Sequence, residues 1–222
     1  MTTIDPSSAT HPALWDMALI HRIFRRSFAE LAQLVPKIPP TDGARVRAAA
    51  AHLDFLLVGL RAHHTTEDEH VWPVLSARAQ PSAALVERME AQHHGIHDGL
   101  EDVSRLAAAW LDRPTRESAD ALSAAITAML HQLEVHLDEE ERDVVPLLAE
   151  HLSVDEWTKA GQAAFEKFTP AQRFIATGQM LEVATPAEAA AMMGNLPAPV
   201  KILWALMGKR RYRRYVAAFR RQ

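Results

Sequence analysis

Two segments of this 222-residue chain, 73 positions apart, carry the same ligand spacing. His63 is followed four residues later by Glu67, and His136 by Glu140. Each pair is followed by a proline at the same offset, Pro73 and Pro146, and then by Leu75 and Leu148. Residues four apart on an α-helix stand one above the other on a single face. Two such pairs on facing helices aim two imidazoles and two carboxylates at one point, which suits one or two metal ions inside a helical bundle.

The surrounding residues supply the helices. From near Pro12 to Val35, a stripe of Leu14, Met17, His21, Phe24, Phe28, Leu31 and Val35 advances in alternating steps of three and four, the spacing of a bundle seam. Pro36, Pro39 and Pro40 stop it. A second helix begins after Thr41-Asp42-Gly43 and presents Leu53, Leu56, Leu60, His63, Glu67, Val71 and Val74; Pro73 should kink it or mark its last turns. A third follows Pro81-Ser82, presents Val86, Met89, His93, Ile96, Leu100, Val103, Ala107 and Trp110, and ends at Asp112-Arg113-Pro114. The fourth presents Leu122, Ile126, Met129, Leu133, His136, Glu140, Val144 and Leu147. Short linkers between them predict an all-α, up-down-up-down four-helix bundle over residues 1–150, with additional C-terminal helices over 151–222.

Each seam places a histidine where a leucine would otherwise sit. An unpaired buried imidazole costs on the order of 1–3 kcal/mol. Four of them with two carboxylates would exceed what a domain of about 5–15 kcal/mol stability tolerates. Coordination to a metal removes that penalty. His21 and His93 lie 72 apart, close to the spacing of the His-x-x-x-Glu pair, so helices one and two read as a copy of helices three and four. Such a two-fold set suits two ions bridged by Glu67 and Glu140. His97, four after His93, joins on the same face. The expected ligands are therefore His21, His63, Glu67, His93, His97, His136 and Glu140.

Composition supports this and excludes alternatives. Hydrophobic residues make up 48% and charged residues 23%, enough for a packed core, and the eight glycines are few. The absence of cysteine removes disulfides, zinc ribbons, iron–sulfur clusters and thiol peroxidase chemistry. Neither a phosphate-binding loop nor a nucleophile–base–orienter triad is evident, which argues against a kinase or hydrolase. Mixed imidazole and carboxylate ligation suits iron, manganese, zinc or copper.

The pattern Ile20-His21, His63-His64-x-x-Glu67-Asp68, Gln92-His93 with His97, and His136-x-x-x-Glu140-Glu141 resembles the hemerythrin-like (HHE cation-binding) family over roughly residues 11 to 150. The resemblance implies a four-helix bundle around a non-haem di-iron site, with two iron ions, oxo- or hydroxo-bridged. Members bind dioxygen, react with peroxide or nitric oxide, or sense oxygen and iron. In the oxygen-carrier branch the last carboxylate lies one residue further on, at Glu141 here; the gapless alignment of the two proline-containing repeats favours Glu140. The run His93-His94 leaves one residue of register open.

The remaining chemistry-bearing residues read more blandly. His64, His94, His52, His131 and His151 fit solvated or rim positions, and His70 could support the site from behind. Glu139, Glu141, Asp68 and Glu69 fit a charged outer face, although Asp68 or Glu141 could orient a ligand histidine. Phe24, Trp72 and Met89 either wall an apolar ligand pocket or belong to the core.

Beyond the bundle, Ser153-Val154-Asp155-Glu156 reads as a capping box, and Thr169-Pro170 and Thr185-Pro186 as helix starts. A last helix follows Pro197 and Pro199, with Val200, Leu203, Trp204 and Met207 leading into seven basic residues between Lys209 and Arg221. It can pack on the acidic bundle or a second subunit, lie on a membrane surface, or contact nucleic acid, although no nucleic-acid-binding motif accompanies it.

The functional expectation is a cytoplasmic, non-haem di-iron protein that takes a small diatomic or peroxide ligand, with oxidative stress as its setting. In its enzymatic form it is an oxidoreductase that decomposes peroxide or nitric oxide. The alternative is an iron, oxygen or redox sensor acting through its basic tail, by membrane-surface or protein contact over residues 198–222. No secretory leader is visible in the opening residues, and no uncharged apolar stretch is long enough to span a bilayer.

Overall fold

The computed structural model describes residues 5–79 and 83–221, and among them every regular element is helical. Four long helices form the bundle: α1 (Ala13–Leu34), α2 (Gly43–Thr66), α4 (Ala83–Asp112) and α5 (Arg116–Glu139). Two short helices, α3 (Trp72–Arg78) and α6 (Val145–His151), extend α2 and α5. Around the barrel α1 neighbours α2 and α5, and α4 neighbours the same two, so consecutive long helices run antiparallel. The expected start of the third helix at Pro81-Ser82 falls on residues outside the description; α4 is described from Ala83.

The seams bury as their spacing dictates. Phe24, Phe28 and Leu31 of α1 meet Leu53, Leu56 and Leu60 of α2, Ile96, Leu100 and Val103 of α4, and Leu122, Ile126 and Leu133 of α5 in the bundle interior, while Met17 packs with Trp72, Leu75, Met89 and Leu148 at the other end. Caps fix the ends: Asp42 accepts from the Arg45 amide, and Thr115 with Ser118 forms a reciprocal capping pair.

The prolines act in a way their position alone did not specify. Pro73 and Pro146 do not stop their helices, which run on to Arg78 and His151. Before each lies one π-helical turn, Glu67–Val71 and Glu140–Val144, in which the Trp72 amide donates to the Glu67 carbonyl and the Val145 amide to the Glu140 carbonyl. A proline has no N–H to donate, and its ring crowds the carbonyl four residues back. Widening the turn by one residue relieves that crowding and lets the helix continue. Each π turn begins at the carboxylate of a repeat.

The C-terminal part adds α7 (Val154–Glu166), α8 (Pro170–Val183), α9 (Pro186–Asn195), α10 (Ala198–Leu203) and α11 (Lys209–Arg220), the last two joined by a π turn at Trp204–Gly208. Capping pairs Ser153/Glu156, Thr169/Gln172 and Thr185/Glu188 open α7, α8 and α9. These helices cover the outer side of α1 and α2. Helix α11 lies on α2 and α8: His52 Nδ1 and the Tyr215 hydroxyl are 2.9 Å apart, Phe219 stacks on His52, and Arg220 bonds Glu30 and Glu182. No helix among the described residues is long and apolar enough to cross a membrane.

Candidate metal centre

The π turns, together with the seams of α1, α2, α4 and α5, bring two ligand groups together halfway along the bundle. His64, Glu67, His93 and His136 form one; His21, His63 and Glu140 form the other. Within each group the candidate ligand atoms lie within 4.8 Å of one another. The carboxylates join the groups. Glu67 Oε1 is 3.2 Å from His63 Nε2, while its Oε2 is 3.5 Å from His93 Nε2. Glu140 Oε2 is 3.2 Å from His21 Nε2 and 3.7 Å from His136 Nε2. Five imidazoles and two carboxylates thus face one another across a shared interior.

Of the expected ligands, the structure gathers His21, His63, Glu67, His93, His136 and Glu140, and corrects one. The His97 side chain is 61% exposed and lies 3.9 Å from Glu101. After His93 the buried face of α4 runs through Ile96, Leu100 and Val103, so the seam turns away from His97. His64, expected at the rim, is buried and takes the seventh place. Three residues before Glu67, it shares that side of the helix. The His63-His64 doublet was the available signal: His63 turns towards α1, its Nε2 3.2 Å from His21 Nε2, and His64 towards α4, stacked on His93, so two consecutive side chains both point inward. In the second repeat the residue equivalent to His64 is Leu137.

A family model described as the hemerythrin HHE cation-binding domain matches residues 13–148. The chain belongs to this family, and its HHE bundle is a helical, metal-binding domain. A curated relative, the dimeric xanthone biosynthesis cluster protein R11 of Cryptosporiopsis sp. (strain 8999), is 27% identical over 150 residues, which cover 66% of this chain and 55% of that protein. The chain therefore spans about half the length of that relative. No solved structure matches.

The HHE bundle also fixes the orientation of its imidazoles. His21 Nδ1 lies 2.8 Å from Glu141 Oε1, His93 Nδ1 lies 2.8 Å from Asp68 Oδ1, and His136 Nδ1 lies 2.9 Å from Gln92 Oε1. An acceptor on Nδ1 keeps the proton there and leaves the Nε2 lone pair pointing inward. Arg25 in turn bonds Glu141 at 2.6 Å and Asp138 at 2.7 Å. Asp68 and Glu141, each next in sequence to an inward-facing carboxylate of the cluster, are thus orienting groups.

Several inward-facing atoms have no hydrogen-bond partner in the protein: both oxygens of Glu67 and of Glu140, and Nε2 of His64, His93 and His136. Buried polar atoms are otherwise almost always partnered. Such a concentration of lone pairs fits a pair of cations, and no side chain in the cluster can donate to all of them.

Proton affinities agree for three of the rings; at His21 burial is outweighed by the Glu140 and Glu141 carboxylates, which raise its affinity for a second proton. Burial first, then the neighbouring imidazoles, pushes His63 and His64 well below the usual histidine value, and burial takes His136 down to about 4. These rings are neutral at physiological pH, as ligation requires. Burial and the adjacent Glu140 carboxylate push Glu67 well above the usual carboxylate range. Burial also disfavours the Glu140 anion, but the His21 imidazole 3.2 Å away, with His136 and His63 further off, outweighs burial and holds Glu140 low. Two carboxylates this close cannot both be charged when protons are the only counter-charge. Divalent cations reverse that constraint.

Proposed function

We propose that this chain is a non-haem di-iron protein that binds or reacts with a small oxygen or nitrogen species: dioxygen, hydrogen peroxide or nitric oxide. The observation that carries the reading is the joined donor set, in which Glu67 and Glu140 each reach histidines of both groups. Zinc could occupy the same donors, but it offers no redox change. A pair of iron ions supplies two electrons to an incoming oxidant or reversible binding of a diatomic.

The protein residues do the rest. His21, His93 and His136 hold their Nε2 atoms on target through Glu141, Asp68 and Gln92. The Glu67 and Glu140 carboxylates set the spacing of the ions and balance part of their charge. Phe24, whose ring lies 5.5 Å from that of His63, and Trp72, 6.0 Å from that of His93, flank the donors and limit water beside them.

The test is metal analysis with visible absorption of the purified protein, reduced and then exposed to air, peroxide or nitric oxide. About two irons per chain and a visible band that changes on exposure are expected, by the donor count of the cluster. A colourless protein holding zinc would remove the redox reading. His63→Ala combined with His136→Ala should release metal and lower the melting temperature, because bound metal stabilises the native state.

A second reading, a sensor working through its basic tail, is supported by one contact. Helix α11 is latched through Tyr215 and Phe219 to His52 on α2, the helix that also carries His63 and His64. A tail deletion that left both metal chemistry and partner binding unchanged would count against it.

A further inference from the structure

The two sides of the metal centre differ in chemistry. Towards α4, a surface groove of about 220 Å³ is polar, with Arg61, Asp68, His94 and His97 on its walls. On the opposite side, α7 and α8 close over α1 and α2 and leave a cavity of about 120 Å³. Phe24, Phe55, Gly59 and His63 line it from the bundle, and Phe165 and Phe168 from the C-terminal part. The lining contains no Asp, Glu, Lys or Arg, and Gln179 contributes an amide that donates to Ser27 Oγ. His63 is also the most exposed member of the donor set, its side chain 10% exposed.

Helical interiors pack to near-crystal density, so a void of this size is a cost that the fold retains. Gly59 contributes to it. Glycine is a poor helix former in mid-helix, and no glycine among the described residues has a positive φ. A Cβ at Gly59 would lie 3.5 Å from Phe168 Cζ and 3.7 Å from Phe24 Cε1, ordinary contact distances. Neither backbone geometry nor crowding demands glycine there; its effect is to leave space.

We propose that this cavity binds a small, uncharged, apolar molecule, up to the size of a single aromatic ring, beside the His63 ligand. Apolar cavities of about 150 Å³ stay dry and take up benzene or xenon, which sets the size class. Ions are excluded because they would be desolvated without a partner. The roof lies in α7 and α8, outside the residues matched to the HHE domain, so the C-terminal part selects what approaches His63. That selecting role rests on the metal reading above; binding itself does not.

The test is xenon NMR and benzene titration of the purified, metal-loaded protein, with metal per chain measured on the same samples. Wild type should bind both. Gly59→Leu fills the cavity and should weaken binding roughly ten-fold or more while metal per chain is unchanged. Ala164→Leu fills it from the roof and serves if Gly59→Leu does not fold. A wild type that binds neither probe, or filled variants that bind as well as wild type, would overturn the proposal. Probe binding in a protein that holds no iron would leave the cavity standing and remove only the di-iron reading.

A different surface carries a second inference. Val200, Ile202, Leu203, Leu206 and Met207 are exposed, Leu206 by 74%, while Trp204, Gly208 and Tyr212 face inward. Exposed Lys209, Arg210, Arg211, Arg213 and Arg214 follow directly. Among the described residues no carboxylate pairs with Lys209, Arg210, Arg213 or Arg214, and Arg211 lies over the Phe174 ring. An apolar patch continuous with uncompensated cations matches an anionic lipid surface. A two-fold contact between copies would set these basic runs against each other. We infer that this segment docks on anionic membranes without crossing them.

Flotation of the full chain with vesicles of phosphatidylcholine alone, or mixed with phosphatidylglycerol, tests this. Binding should require the anionic lipid, fall steeply with salt, and drop roughly ten-fold or more in Leu206→Glu. No binding to anionic vesicles at low salt, equal binding to neutral ones, or a dimer abolished by Leu206→Glu without vesicle binding would each refute it.

Discussion

Glu141 Oε1 lies 2.8 Å from His21 Nδ1, on the face of the ring turned away from the metal centre. The preceding residue, Glu140, points inward, and its Oε2 reaches the Nε2 of the same histidine at 3.2 Å. Two adjacent carboxylates therefore grip one imidazole from both ends, one as a candidate ligand and one as its orienting acceptor.

The pair should separate on mutation. Glu140→Gln removes the anion that reaches histidines of both groups and should abolish stable metal occupancy. Glu141→Gln keeps an acceptor of the same shape and should weaken metal binding by about 10–100-fold, the range for orienting partners of metal-bound histidines. Chelator competition on the two purified variants measures this. The reverse order of severity would show that Glu141 is the ligand.

His64 and His97 provide a second separation. His64→Ala should lower the metal content of the purified protein, whereas His97→Ala should leave both metal content and melting temperature unchanged, since His97 projects into solvent. Loss of metal in His97→Ala would contradict the geometry.

Asp16 gives a pH dependence that does not involve the metal. Burial pushes its carboxyl up to about 7, against the hydrogen bond it accepts from Trp157 Nε1, and its Oδ1 has no partner. Between its unfolded value near 4 and about 7, the unfolded chain has lost this proton while the folded chain keeps it. Stability should therefore fall as pH rises through that window and level off above it. Asp16→Asn should remove the slope and stabilise the protein at pH 8 by ~2–4 kcal/mol. Urea melts of both proteins from pH 4.5 to about 8 are the measurement; parallel curves would exclude Asp16 as the cause.

Gly178 tests the attachment of the last helix. A Cβ placed there would sit 2.2 Å from Tyr212 Cδ2, inside a buried ring that cannot move aside cheaply. Gly178→Ala should cost about 1–3 kcal/mol despite improving helix propensity. It should also make α11 more sensitive to protease. A melting temperature equal to or above that of wild type would show that Tyr212 has another place to go.

Much of the bundle was legible because its seams repeat with one period and its helices end at prolines or capping pairs. His21, His63, His93 and His136 stood at seam positions, and the capping pairs at Ser153, Thr169 and Thr185 marked α7, α8 and α9. The differences arose where contacts with neighbouring helices decide which side chain is buried. His64 lies inside because its ring stacks on His93 of α4 and meets His136 of α5, long-range contacts that periodicity within α2 does not encode. His97 was placed by its spacing from His93, but Ile96 and Leu100 carry the α4 seam away from it. Pro73 and Pro146 were visible as disruptions, yet the choice between a kink and a widened turn depends on packing across the bundle.

The mismatch between His64 and Leu137 has a consequence for the two ligand groups. One group offers three imidazoles and the other two, so the two cations would be inequivalent from the start. The nitrogen-poor group contains His63 and therefore faces the aromatic chamber under α7 and α8. An arriving guest would meet the cation with the weaker grip first, and loading should proceed in two distinguishable steps.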